Sequence, residues 1–212
     1  MKNNFIPTIN ISKIDLESEN SKNNFIFKQI QKACIEVGFF QIVGHGIEKN
    51  LIHKITKTAH IFFNSKAENK YKLAPKRWNK SNNNIYRGYF PSDVNGKEGL
   101  DIGDPLISNL FVKKIKRKKI EKLNLSKSLD RNSIEVINKY YGKIFNLSEM
   151  LFKVIIFISK KNPELSKTAF RRVKTLSTLR FNYYPKQKNP VEISKQDGVA
   201  LGCETHVDSG IF

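Results

Sequence analysis

The stretch LGCETHVDSGIF, Leu201 to Phe212, decides the reading of this chain. His206 and Asp208 stand two positions apart, so on an extended strand their side chains leave the same face. A neutral imidazole beside a carboxylate supplies two corners of the two-histidine, one-carboxylate facial triad that holds Fe(II) with open coordination positions. Glu204 has the same parity and is a candidate for a supporting or ligating role. Cys203 has the opposite parity, which argues against sulfur ligation. By itself a His-x-Asp triplet is common, and a surface pair is its bland reading. The rest of the chain has to raise it above that.

Working outward, LSTLRFNYY (Leu176 to Tyr184) is a strand candidate that Pro185 closes. Before it, Ile134, Ile137, Tyr141, Ile144, Phe145, Leu151, Val154 and Ile155 keep helical spacing and predict a long helix over 134–159. The segment from Trp78 to Pro105 is rich in Asn, Gly, Pro and Asp, and reads as loop with a short strand piece around Tyr86 to Phe90. A helix is expected over 48–63, with Leu51, Ile52, Ile55, Ala59, Phe62 and Phe63 on one face. Further toward the N-terminus come the turn Gly44-His45-Gly46, the strand Phe39 to Val43 and a helix from Ser21 that Gly38 ends. IPTINIS, Ile6 to Ser12, alternates apolar and polar residues and predicts an opening strand.

The chain has 212 residues, of which 39% are hydrophobic and 27% charged, enough to bury a core. Its richest apolar run, Met150 to Ile158, is short and contains Lys153, so it reads as a buried helix and not a membrane span. The N-terminus lacks the apolar region of a secretory signal, and Cys34 and Cys203 have no metal or redox spacing. A cytoplasmic protein with reduced thiols is therefore expected, with no membrane partner. The net charge of +19 is carried mainly by lysine, in a chain also rich in asparagine and isoleucine, as AT-rich coding would supply. Its densest cluster, Lys113 to Lys119, has no interleaved aromatics and reads as a solvated loop, so nucleic acid is not the expected partner.

Six blocks in order resemble the isopenicillin N synthase-like branch of the Fe(II)/2-oxoglutarate-dependent dioxygenases. They are IPTINIS, EVGFFQIVGHGI (Glu36 to Ile47), FFNSKAENKYK (Phe62 to Lys72), RGYF (Arg87 to Phe90), LRFNYYP (Leu179 to Pro185) and LGCETHVDSGIF. The resemblance implies an α+β fold: an N-terminal helical and mixed region leading into an incomplete double-stranded β-helix, or jelly roll. It implies an N-terminal dioxygenase region over 1–120, a long helix and connection over 121–175, and the start of the jelly roll over 176–212. It implies His206 and Asp208 as iron ligands, Asn182 and Tyr184 as contacts to 2-oxoglutarate, and Arg180 as a support of the sheet or pocket wall. Fe(II), 2-oxoglutarate and O2 would be used to hydroxylate, desaturate or cyclise a small-molecule substrate.

The family's third ligand, a distal histidine followed by Arg-x-Ser, has no counterpart before Phe212. The expectation is therefore a C-terminally truncated chain that is inactive and poorly stable by itself, since a partial jelly roll leaves strand edges unpaired. A catalytically dead remnant with a binding role is the first alternative, and a basic nucleic-acid-binding module the second. His45 is expected to be a structural imidazole bonded to backbone. His53 and His60 are expected at the helix surface, and Trp78 and Tyr86 either cap core or line a substrate mouth.

Overall fold

The computed structural model describes residues 6–14, 16, 21–92, 96–110, 123–169, 172, 177–186, 192–193 and 200–201. The chain divides into two units, Met1–His53 with Lys139–Thr175, and Lys54–Asn138 with Leu176–Phe212.

In the first unit, strand β1 (Thr8–Asn10) is followed by helix α1 (Ser21–Glu36) and strand β2 (Gln41–Val43), and the two strands pair in parallel with Ile9 opposite Ile42. Ile26, Phe27, Ile30 and Ala33 recur along one side of α1 and are buried, whereas Phe25 and Ile35 are exposed. That stripe packs with Ile9, Ile11 and Val154, and Phe40, Ile42, Leu147, Met150 and Ile158 close around it. Each such aliphatic or aromatic side chain contributes roughly 1.5–3 kcal/mol by leaving water. Gly38 takes φ +83 after α1, and its N–H donates to Ala33 O at 2.9 Å, a carbonyl that Val37 N–H also reaches at 3.1 Å, so the last turn is closed. The strand after it is shorter than expected. Phe39 and Phe40 lie outside β2, and Phe39 is exposed.

Helix α2 (Lys49–Phe63) carries Leu51, Ile55, Phe62 and Phe63 as buried positions, with His53 and His60 exposed. The second unit continues through the short helix α3 (Ala67–Tyr71) to strand β3 (Gly88–Phe90), strand β4 (Glu98–Gly103) and helix α4 (Pro105–Leu110). The loop expected over 78–105 is thus overturned for its second half. Six residues of it form β4, all of them buried, and β4 is the central strand of a three-stranded antiparallel sheet. Strand β4 escaped notice because EGLDIG contains two acids and two glycines, residues that are poor in strands. Long-range pairing on both sides of it overrides that local preference.

Before β3, asparagines close the loop on itself. Asn82 is buried and its amide donates to Lys72 O and Ala74 O at 3.0 and 2.8 Å, while its carbonyl oxygen accepts from Lys127 Nζ at 2.8 Å. Side-chain amides here satisfy backbone carbonyls that a loop leaves without partners. Helix α5 (Arg131–Ile158) is the long helix that the apolar spacing predicts, and it is capped by Asp130, whose Oδ1 accepts from Ser133 N at 2.7 Å. Helix α6 (Glu164–Ala169), strand β5 (Thr178–Tyr183) and the short antiparallel pair β6 (Glu192–Ile193) and β7 (Ala200–Leu201) complete the described chain. The architecture is mixed helix and sheet. No helix among the described residues is long and apolar enough to cross a membrane.

Candidate co-substrate and metal site

Strand β5 pairs along its whole length with β4: Glu98 lies opposite Tyr183, Gly99 opposite Asn182, Leu100 opposite Phe181, Asp101 opposite Arg180 and Ile102 opposite Leu179. Alternation then sorts the side chains onto two faces. Leu179, Phe181 and Tyr183 join Leu100 and Ile102 on the apolar face, where the Tyr183 ring stacks on Phe63 with centroids 5.2 Å apart. Arg180 and Asn182 leave from the opposite, exposed face, and Tyr184, exposed just past the strand end, follows their parity.

The exposed face is anchored by an ion pair that the sequence reading missed. Arg180 Nε and Nη2 donate to Asp101 Oδ1 and Oδ2, each at 2.6 Å, across directly paired positions. The two side chains differ sharply in exposure, 55% for Arg180 against 4% for Asp101. Hydrogen bonding to Asp101 holds the Arg180 pKa above its ordinary value, outweighing partial desolvation. Arg180 therefore supports the sheet while part of its guanidinium faces water. Gly99 and Gly103 flank Asp101 on its own strand, and the Arg87 guanidinium fills the space a side chain at Gly103 would need. Lys97 Nζ sits 6.0 Å from the centre of the Tyr184 ring.

On the apolar side a second polar cluster is closed to solvent. Glu98 Oε2 accepts from Lys70 Nζ and from the Tyr89 hydroxyl, both at 2.7 Å, and Lys70 Nζ also donates to Phe63 O at 3.1 Å. All three residues are buried. This cluster joins the end of α2, α3, β3 and β4, which is a structural task. Nothing local in the sequence names Glu98 as the partner of Lys70, which lies 28 residues before it.

Asn182 and Tyr184 thus share one exposed face, two residues apart, as an amide and a phenol suited to the oxygens of a carboxylate. His206, Asp208, Glu204 and Cys203 lie outside the described residues, as does the lysine cluster at 113–119. Among the described residues there is no group of three or more His, Cys, Asp or Glu side chains able to hold a metal. His45 accepts from Ile47 N through Nδ1 at 3.1 Å, so its ring is engaged with backbone in the turn. Trp78 is half-buried and packs edge-on against Phe90 with centroids 5.7 Å apart, whereas Tyr86 is exposed.

The family described as non-haem dioxygenase in morphine synthesis N-terminal matches residues 6–130. The chain belongs to this non-haem dioxygenase family. Among its relatives, Jasmonate-induced oxygenase 1 of Arabidopsis thaliana is 30% identical over 97% of this chain and 47% of its own length. Isopenicillin N synthase of Streptomyces griseus is 26% identical over 96% of this chain and 62% of its own length. The chain spans about half the length of the curated relatives it matches, at 47%, 62% and 51% for the first three. Its fold is shared with the crystal structure of JOX2 in complex with 2OG, Fe, and JA. The TM-score is 0.59 at 22% identity, over 90% of this chain and 53% of that one.

Proposed function

We propose that the protein carrying this chain is a non-haem Fe(II)- and 2-oxoglutarate-dependent oxygenase acting on a small molecule. The observation that carries the reading is that Asn182 on β5 and Tyr184 just past its end have the same parity and are both exposed, in a chain of the dioxygenase family that carries a His-x-Asp segment further on. His206 and Asp208 would hold the iron, with 176–212 forming the first part of a jelly roll and 1–120 the N-terminal region. When bound, iron would activate O2, the oxidant, with the 2-oxo acid giving up two electrons as it becomes succinate and CO2, so that a substrate C–H bond can be broken.

The chain's own residues bind and orient. The Asn182 amide and Tyr184 hydroxyl would donate to carboxylate oxygens, fixing the oxo acid by hydrogen bonds that cost no protonation change. The Phe63–Tyr183 stack holds the strand from behind, so that both donors keep their spacing. The relatives and the JOX2 complex bear the names of oxygenases and of 2OG, Fe and JA, which supports a small-molecule substrate.

The test is succinate formation from 2-oxoglutarate by the gene product as translated, supplied with Fe(II) and air. Turnover is expected, and His206→Ala or Asp208→Ala should each reduce it by at least about a hundredfold, since each removes a ligand of the metal that carries the chemistry. Absence of Fe(II) binding, or turnover indifferent to both substitutions, would refute the proposal.

A further inference from the structure

The buried cluster of Lys70, Glu98 and Tyr89 gains little stability over an apolar filling, because replacing a buried ion pair with apolar side chains of similar volume is often neutral or better. What it adds is direction. Lys70 Nζ donates both to Glu98 Oε2 and to Phe63 O, and Glu98 Oε2 also accepts from the Tyr89 hydroxyl. These bonds hold a box of rings. Phe62 meets Phe63 and Tyr89 edge-on, with centroids 5.3 and 5.9 Å apart, and Tyr71 meets Tyr89 at 5.5 Å. The box ends on Tyr183, whose ring lies within 12° of parallel to Phe63. Tyr183 is also the residue paired with Glu98, and the β4–β5 register stops at that pair. Asn182 stands one position before Tyr183 and Tyr184 one position beyond it. Element ends open most readily, so the two donors sit where the ladder by itself holds least.

We propose that Lys70 and Glu98 are positioning residues for the co-substrate: their ion pair, acting through Phe63 O and the Phe63–Tyr183 stack, fixes the end of β5 and with it the spacing of Asn182 and Tyr184. A core refilled with apolar side chains gives up its unique arrangement before it gives up its stability. Such a filling would leave the chain folded and the strand end loose, and donors displaced by about 1 Å lose their grip on a ligand. The inference rests on the proposed 2-oxoglutarate contact for the word co-substrate, whereas the hold on the strand end needs neither iron nor the oxo acid.

The triple variant Lys70→Met, Glu98→Leu, Tyr89→Phe separates positioning from stability, since it removes the polar cluster and keeps the core filled. Amide hydrogen exchange on the metal-free gene product is compared over Phe181 to Tyr184 and over helix α5. Succinate formation by the Fe(II)-loaded product gives KM for 2-oxoglutarate and kcat. Exchange over Phe181 to Tyr184 is expected to quicken about tenfold while α5 keeps its wild-type rate, a local opening and not a global one. KM should rise about tenfold with kcat within about twofold of wild type, the signature of lost binding and not of lost chemistry. Phe63→Leu cuts the link but leaves the ion pair in place. It should give the same two changes, and it decides the matter where the triple variant does not fold. Unchanged exchange at the strand end, exchange raised equally in α5 of a folded variant, or an unmoved KM would each overturn the proposal. A wild type that forms no succinate refutes the oxygenase reading instead, and the exchange comparison then still decides whether the cluster holds the strand end.

Discussion

Removing the Lys70 ammonium should be among the most damaging single changes available in the second unit. Lys70 and Glu98 each keep only 11% of their side-chain surface exposed, and Nζ bonds both Glu98 Oε2 at 2.7 Å and Phe63 O at 3.1 Å. Lys70→Met preserves the apolar stem but leaves the Glu98 carboxylate buried without its cationic partner, with the Tyr89 hydroxyl still donating to it. Stranding one member of a buried pair costs about 3–5 kcal/mol, because the desolvated charge loses its compensation. With a urea slope of about 2 kcal/mol/M, the unfolding midpoint should fall by about 1.5–2.5 M. The triple variant Lys70→Met, Glu98→Leu, Tyr89→Phe removes every charged or hydroxyl member and should recover most of that loss, since apolar replacement of a whole buried network is often neutral. Urea unfolding of the gene product, followed by circular dichroism, measures both. A Lys70→Met shift below about 0.5 M, or a triple variant no more stable than the single one, would refute the view that desolvation governs this cluster.

Two further outcomes follow from local geometry. The Ser133 N–H bond holds the Asp130 carboxyl below its ordinary pKa, with the Ser133 hydroxyl adding to it, so the stabilisation is present above the ordinary carboxylate range and lost as pH falls through the depressed value. Asp130→Asn should keep the cap at neutral pH but flatten the acid limb of a stability–pH profile, and an unchanged limb would count against the assignment. Gly88 takes φ +115 and an added Cβ would run into Leu73 O, so Gly88→Ala should cost at least about 1–3 kcal/mol in unfolding free energy. A midpoint equal to wild type would show that β3 shifts freely.

Much of the helical framework was legible in the sequence. The apolar spacing of α1, α2 and α5 is set by residues three or four apart, which lie on one side of a helix whatever the rest of the chain does. Gly38 and Pro185 marked ends correctly, because positive φ and a missing N–H are properties of single residues. The exposed face shared by Asn182 and Tyr184 also follows from strand parity alone.

What the tertiary structure decided lies across long separations. Strand β4 has poor strand formers and exists because β3 and β5 pair on either side of it. Asp101 meets Arg180 across 79 residues and Lys70 meets Glu98 across 28, and neither partnership leaves a periodic trace. Periodicity reports which residues face inward, whereas the identity of a buried charge's partner depends on register between strands distant in sequence. The sequence by itself thus determined the helices, the family resemblance and the candidate ligands. Only the folded sheet determined that Arg180 is paired, because the charge it meets comes from a strand the sequence had concealed.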